Sequence, residues 1–398
     1  RFSAQAIIGG FFAVDSFFLM SGFLVSSMLL PNLTSGSLRG CGWTLKVYLH
    51  RYLRLTPTIV FVTLFMWKLL PLLGQGPIWW QAGERQEADC SKYWWTEVTY
   101  VANLYPFPWG SAGNCIGVTW YLGDDMQFFL VGVPLVSLFH HRRRIGIATV
   151  LALAISSCIY TLWFGFSSGI SFSFFNTGDT AWSEVYTSPW TRCPVYLIGM
   201  LCGFVWHTEF RRRKSSIVHD STSGQSESFS DERRGKNGGT RTKYETFLIT
   251  VTAVASALLM ALPVYGTYWS YQDIQESSIP AWADHLYLAF SRPSWSLGLA
   301  LMCGLCFLGK GGLVNWLLNR PVWITPARLT FCAYLTHPSL LLLLYGSRSV
   351  AVRLTELELA VTYMGVVVGT FACATALHLL VEAPFRNLES WARRRSDK

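Results

Sequence analysis

The chain has 398 residues, of which 51% are hydrophobic and only 14% charged. Soluble domains carry nearer a quarter charged residues, so this composition excludes an ordinary water-soluble globule and points to the bilayer. The net charge of +9 does not indicate a nucleic-acid partner, because the basic residues sit in short clusters between apolar runs.

Nine apolar stretches approach the roughly 20 residues that an α-helix needs to cross a bilayer. They fall near 7–30, 55–73, 119–139, 145–166, 193–208, 245–263, 285–308, 327–345 and 358–381. The expectation is an all-α, polytopic transmembrane helix bundle of about nine spans. The first stretch carries Asp15 and the small pair Ser21-Gly22. The second follows Arg51 and Arg54, which are three positions apart and so share one side of a helix. The segment 74–118 is rich in Trp, Gly and Pro and holds Cys90 and Cys115. The seventh stretch is interrupted by Arg292-Pro293. The eighth holds His337, followed by Pro338. The last ends with His378 and Glu382 on one helical face.

Of the 32 Lys and Arg residues, 24 lie in one set of alternate loops and six in the other. The positive-inside rule then places the N-terminus on the luminal or extracellular side and the C-terminus in the cytosol. The reading divides the chain into a first membrane half, 1–210, a cytosolic linker, 211–243, a second membrane half, 244–385, and a basic cytosolic tail, 386–398. The linker is charged and rich in Ser and Gly, which predicts disorder. On this topology 74–118 is a luminal loop, and Asp124-Asp125 begin the third span at the luminal face. Two cysteines in one oxidising compartment read as a Cys90–Cys115 disulfide, with two free thiols as the alternative. The other eight cysteines behave as small hydrophobes.

Charges inside hydrocarbon are costly, so each intramembrane ionisable group is a functional candidate. These are Asp15, Lys68, Asp124, Asp125, Arg292, His337, His378 and Glu382. Asp15 either orients a catalytic base or pairs with Arg292 or Lys68. Arg51 and Arg54 either anchor the topology at the headgroups or grip phosphate oxygens. Ser21-Gly22 permits close approach of a helix or an acyl chain. Glu382 is placed to meet a cytosolic arginine, Arg51 or Arg54. His337 is either a general base or a hydrogen-bonded core histidine. No P-loop, dinucleotide fingerprint, HExxH or Gly-x-Ser-x-Gly motif is present, so no metal is expected.

The blocks DSFFLMSGFL, RYLRLTP, VTWYLGDDMQ, TRCPVYLIGMLCG, SRPSWSLGLALMCGLCFLGKGG, ARLTFCAYLTHP and VEAPFRNLE resemble, in order and spacing, the membrane-bound acyltransferase-3 family. Within it, the resemblance is to the animal branch of nose-resistant-to-fluoxetine-like proteins. It implies transfer of an acyl group from cytosolic acyl-coenzyme A, as co-substrate, to an unknown hydroxyl acceptor. It also implies that Arg51 and Arg54 serve the coenzyme A side, and that Ser21-Gly22-Phe23 match the family's SGF block. The family's catalytic histidine precedes that block, and none of this chain's eight histidines occupies its position. The chain starts at Arg1 and is therefore read as a fragment whose main histidine lies upstream, with Asp15 and His337 as the catalytic candidates within it. The alternative function is a non-enzymatic carrier of lipids or apolar small molecules. Either way the partner is membrane lipid, in the plasma membrane or an endomembrane.

Overall fold

A computed structural model describes residues 9–36, 42–77, 79–105, 114–169, 185–222, 231–266, 280–349 and 355–396, with 5, 7 and 38; side chains at 210–243, 392–394 and 396 are excluded. The described residues are helical, without strands. A 3-10 turn, Gly9–Phe11, leads into α1, Phe12–Thr34. Helix α2, Trp43–Leu64, continues through a π-turn, Phe65–Leu69, and a last turn, Leu70–Leu73. Then come α3, Trp79–Thr99, α4, Trp120–His141, and α5, Arg143–Ser168. Helices α6, Pro189–Thr222, and α7, Asp231–Tyr265, are followed by α8, Ala281–Phe307, and the short α9, Gly312–Leu318. The last group is α10, Ile324–Gly346, α11, Glu356–Leu377, a second π-turn, His378–Glu382, and α12, Ala383–Ser396.

Seven of these helical segments are long and apolar enough to cross a membrane, or eight if α8 and α9, bent by 80° at their junction, form one span. The fifth expected span, 193–208, lies in α6 and is a helix. It is not among the seven, because Arg192 and Glu209 bracket its apolar run. Arg292-Pro293 does not interrupt α8. The helix runs through both, and Arg292 and Ser294 bond to Thr191 and to the Leu259 carbonyl on neighbouring helices. The break falls after Phe307 instead. At the segment read as a disordered linker, 211–243, α6 runs to Thr222 and α7 starts at Asp231, while 223–230 lie outside the described residues. An established helix extends at little cost, and the Arg, Lys and Glu residues here are good helix formers.

The chain forms two interleaved units, Arg1–Arg39 with Phe128–Ala181 and Pro189–Asn319, and Gly40–Gln127 with Trp182–Ser188 and Arg320–Lys398. In the first, α1 lies along α6 at glycine-mediated distance. A Cβ at Gly22 would overlap the Tyr196 carbonyl oxygen, and one at Gly199 would overlap that of Leu19. Helices in lipid gain little from hydrophobic exclusion, so such close packing supplies their attraction. Phe18, Val133, Tyr196, Met200 and Phe204 fill this core. Gly22 is therefore a packing residue.

In the second unit, α3 runs antiparallel along α2. Trp79 Nε1 donates to the Pro71 carbonyl at 2.9 Å, Lys68 meets Glu87 at 3.2 Å, and Thr56 bonds Tyr100 at 3.1 Å. The segment expected to be a luminal loop thus contains a 21-residue helix that returns along its predecessor. The Cys90–Cys115 disulfide ties α3 to the stretch before α4.

Candidate functional site

Three polar clusters are built from helices that are otherwise apolar. In the first unit, Asp15 of α1 accepts from Arg192 Nη1 of α6 at 2.6 Å, and both side chains are 1% exposed. Arg292 Nη1 donates to Thr191 Oγ1 at 3.2 Å, and Trp295 Nε1 donates to Ser16 Oγ at 2.9 Å. The expected partner of Asp15 was Arg292 or Lys68. Arg192 takes that place because α6 begins at Pro189 and carries Arg192 into the helix packed on α1. Lys68 is held by Glu87. Beside this cluster an apolar cavity of about 1120 Å³ is lined by Leu19, Phe23, Leu201, Trp206, Leu297 and Phe307, among others.

In the second unit, Arg51 of α2 forms an ion pair with Asp125 of α4, with side chains 20% and 9% exposed. Asp124, fully buried, accepts from Asn103 Nδ2 at 2.6 Å, and Gln127 Nε2 donates to Asn103 Oδ1 at 2.9 Å and to the Tyr100 carbonyl at 3.0 Å. Arg54, one turn along from Arg51, is exposed. This arrangement corrects the expected separation of Arg51 at the cytosolic face from Asp124-Asp125 at the luminal face. Ion-paired atoms cannot lie on opposite sides of an apolar layer about 30 Å thick. Helix α3 makes their meeting possible by bringing the chain back along α2 before α4 starts.

His337 donates through Nδ1 to the Tyr334 carbonyl at 2.7 Å. A carbonyl only accepts, so Nδ1 carries the proton and Nε2 keeps the lone pair that a base needs. Tyr334 in turn donates to the Val118 carbonyl at 2.5 Å and stacks edge-on with Tyr121.

The third cluster is also in the second unit. Glu382 does not meet Arg51 or Arg54. Its Oε2 takes His378 Nδ1 at 2.7 Å and the Cys332 thiol at 3.1 Å, because the π-turn at 378–382 turns both side chains toward α10. His50, next to Arg51, reaches Glu389 at 3.3 Å.

Glu97 went unnoticed in the sequence, where one acid in a Trp-rich polar stretch carries no signal. It is 2% exposed at the end of α3 and accepts from the Ile116 backbone N–H at 3.1 Å. Burial pushes its carboxyl up to about 7, against the opposing pull of the Thr119 hydroxyl and the backbone N–H groups of Ile116 and Cys115.

A family described as Acyltransferase domain matches residues 1–379. The chain is similar to "Nose resistant to fluoxetine protein 6" of Caenorhabditis elegans, 27% identical over 98% of this chain and 46% of that protein. It is similar to "Regulator of hypoxia-inducible factor 1" of the same organism, 22% identical over 74% of this chain and 54% of that protein. "O-acetyltransferase OatA" of Staphylococcus aureus is 23% identical over 51% of this chain and 31% of that protein. The chain spans about half the length of the first two relatives. No solved structure matches. With a family match across nearly its whole length and helices suited to several membrane crossings, the chain belongs to the membrane-bound acyltransferase-3 family.

Proposed function

We propose that the chain forms the membrane domain of an O-acyltransferase that takes its acyl group from acyl-coenzyme A. The observation that carries the reading is the Arg51–Asp125 pair, set in the Asp124–Asn103–Gln127 network. Paired guanidinium groups inside a membrane domain are expensive and persist where they serve a ligand. In this reading Asp125 fixes the direction of Arg51, and the exposed Arg54 completes a fork for the coenzyme A phosphates. The acceptor hydroxyl attacks the thioester carbonyl, its proton passes to a base, and coenzyme A leaves as the thiol. His337, with Nε2 as acceptor, is the base candidate in this chain, and such help is worth about 10²–10⁴ in rate.

The test is acyl-coenzyme A binding and acyl transfer in proteoliposomes with Arg54→Ala and His337→Ala. Arg54→Ala weakens donor binding, and His337→Ala slows transfer with binding kept. Unchanged affinity in Arg54→Ala overturns the donor site, and unchanged transfer in His337→Ala moves the base elsewhere.

A second reading is a carrier of lipids or apolar molecules, favoured by the apolar cavity beside α1. Movement of a labelled lipid across the bilayer without thioester cleavage supports that reading and sinks the first.

A further inference from the structure

We propose that Cys332, His378 and Glu382 form a binding site for a divalent transition cation of the zinc class. The proposal goes beyond acyl transfer and does not depend on it.

A sulfur, an imidazole nitrogen and a carboxylate oxygen lie within 4.8 Å of one another. Cys332 is fully buried on α10, and the His378 and Glu382 side chains are 16% and 12% exposed. The three come from two elements, so their meeting does not follow from sequence proximity. The π-turn at 378–382 brings the imidazole and the carboxylate together on the side that faces Cys332, and π-turns inside helices frequently mark functional sites.

The ligand set suits the cation. Zinc takes thiolate, imidazole and carboxylate at about 2.0–2.3 Å, and three protein ligands leave a fourth position for water. Tetrahedral geometry at those lengths spaces ligand atoms about 3.4–3.6 Å apart. The present separations are 3.1 Å for Cys332 Sγ to Glu382 Oε2 and 2.7 Å for His378 Nδ1 to Glu382 Oε2. Admitting the ion takes an opening of roughly half an ångström on these two edges, within the reach of side-chain rotation.

Charge balance also fits. The Cys332 thiol releases one proton to solvent on binding. A thiolate and a carboxylate then neutralise the dication, with His378 neutral. The loaded site carries no net charge, which limits the cost of placing an ion among apolar helices.

The experiment uses the full chain in detergent, stripped with chelator and titrated with Co²⁺, then back-titrated with Zn²⁺. The readouts are metal bound per chain and the near-ultraviolet charge-transfer absorption of a thiolate–cobalt bond. One equivalent with that absorption is expected, displaced by Zn²⁺. Cys332→Ser keeps the size and hydrogen bonding of the side chain. It should abolish the absorption and weaken binding by at least about tenfold, a scale on which even outer-shell losses register. Glu382→Gln weakens binding with the absorption reduced, and serves if the first variant does not fold. Cys303→Ser, whose thiol lies outside the cluster, keeps both signals. No bound metal in the unaltered chain, or unchanged binding in both ligand variants, overturns the proposal and leaves a hydrogen-bonded trio.

Discussion

Glu97 carries a carboxyl into a site that water barely reaches. Its proton affinity rises from the ordinary value of 4.5 to about 7, chiefly through burial. Below pH 4.5 both the folded and the unfolded chain hold the proton, and the site costs nothing. As pH climbs toward 7 the unfolded chain ionises first, while the folded one keeps its proton. Stability therefore falls across that window and levels off above it, by on the order of 3 kcal/mol. Glu97→Gln removes the titrating group and keeps an acceptor for the Ile116 N–H. Its melting temperature relative to the parent should rise between pH 5 and pH 8 and be close to the parent's at the acid end. A constant difference across that range would mean that Glu97 is ionised in the folded protein throughout. The Asp15–Arg192 pair is held by different physics. Each buried charge there is tolerable only because the other is present.

At the scale of elements, the α1–α6 contact depends on residues that have no side chain. A Cβ at Gly199 would meet the Leu19 carbonyl oxygen and the Phe23 backbone nitrogen, and neither can move without shifting a helix. Gly199→Ala should therefore lower the melting temperature of the detergent-solubilised chain by many degrees. Gly365→Ala, in a helix interior with nothing within 4 Å of the new Cβ, should be neutral or gain about 0.5–1 kcal/mol. If the two variants melt together, the helices do not approach as closely as described. The helices themselves were legible, because long apolar runs have few other fates in a bilayer. Asp15, Arg51, His378 and Glu382 were also legible as misplaced charges. Beyond the i, i+4 meeting of His378 with Glu382, their partners were not. Arg192 sits immediately before the apolar run of α6, and Asp125 meets Arg51 only because α3 doubles back, which neither hydropathy nor charge counting encodes. Cys332 looked like a small hydrophobe until a π-turn set His378 and Glu382 beside it.

For the whole molecule, the distribution of basic residues and the path of α3 must agree on which segments meet water. Charge bias puts the loop before α3 on the non-cytosolic side and the α6–α7 connection in the cytosol. Helix α3 bears out-facing Glu84, Arg85, Glu87 and Lys92, and lipid cannot solvate that face. It therefore stands in water or against a polar partner, which fixes one end of the α2–α3 pair outside the apolar layer. The helix from Trp43 to Leu73 has 31 residues, about 46 Å at 1.5 Å per residue, so it has length to spare beyond the roughly 30 Å it must cross. The charge bias gives one labelling pattern to test. In a chain cleared of its free thiols, Glu87→Cys should react with an impermeant maleimide on the non-cytosolic side of sealed vesicles. A cysteine at Gln225, in the α6–α7 connection, should react only after the vesicles are opened. Reaction of both positions from one side would remove an odd number of crossings between them, and with it the orientation inferred from the basic residues. Protection of Glu87→Cys in both conditions would place α3 against a partner and leave that orientation to be decided by the Gln225 label.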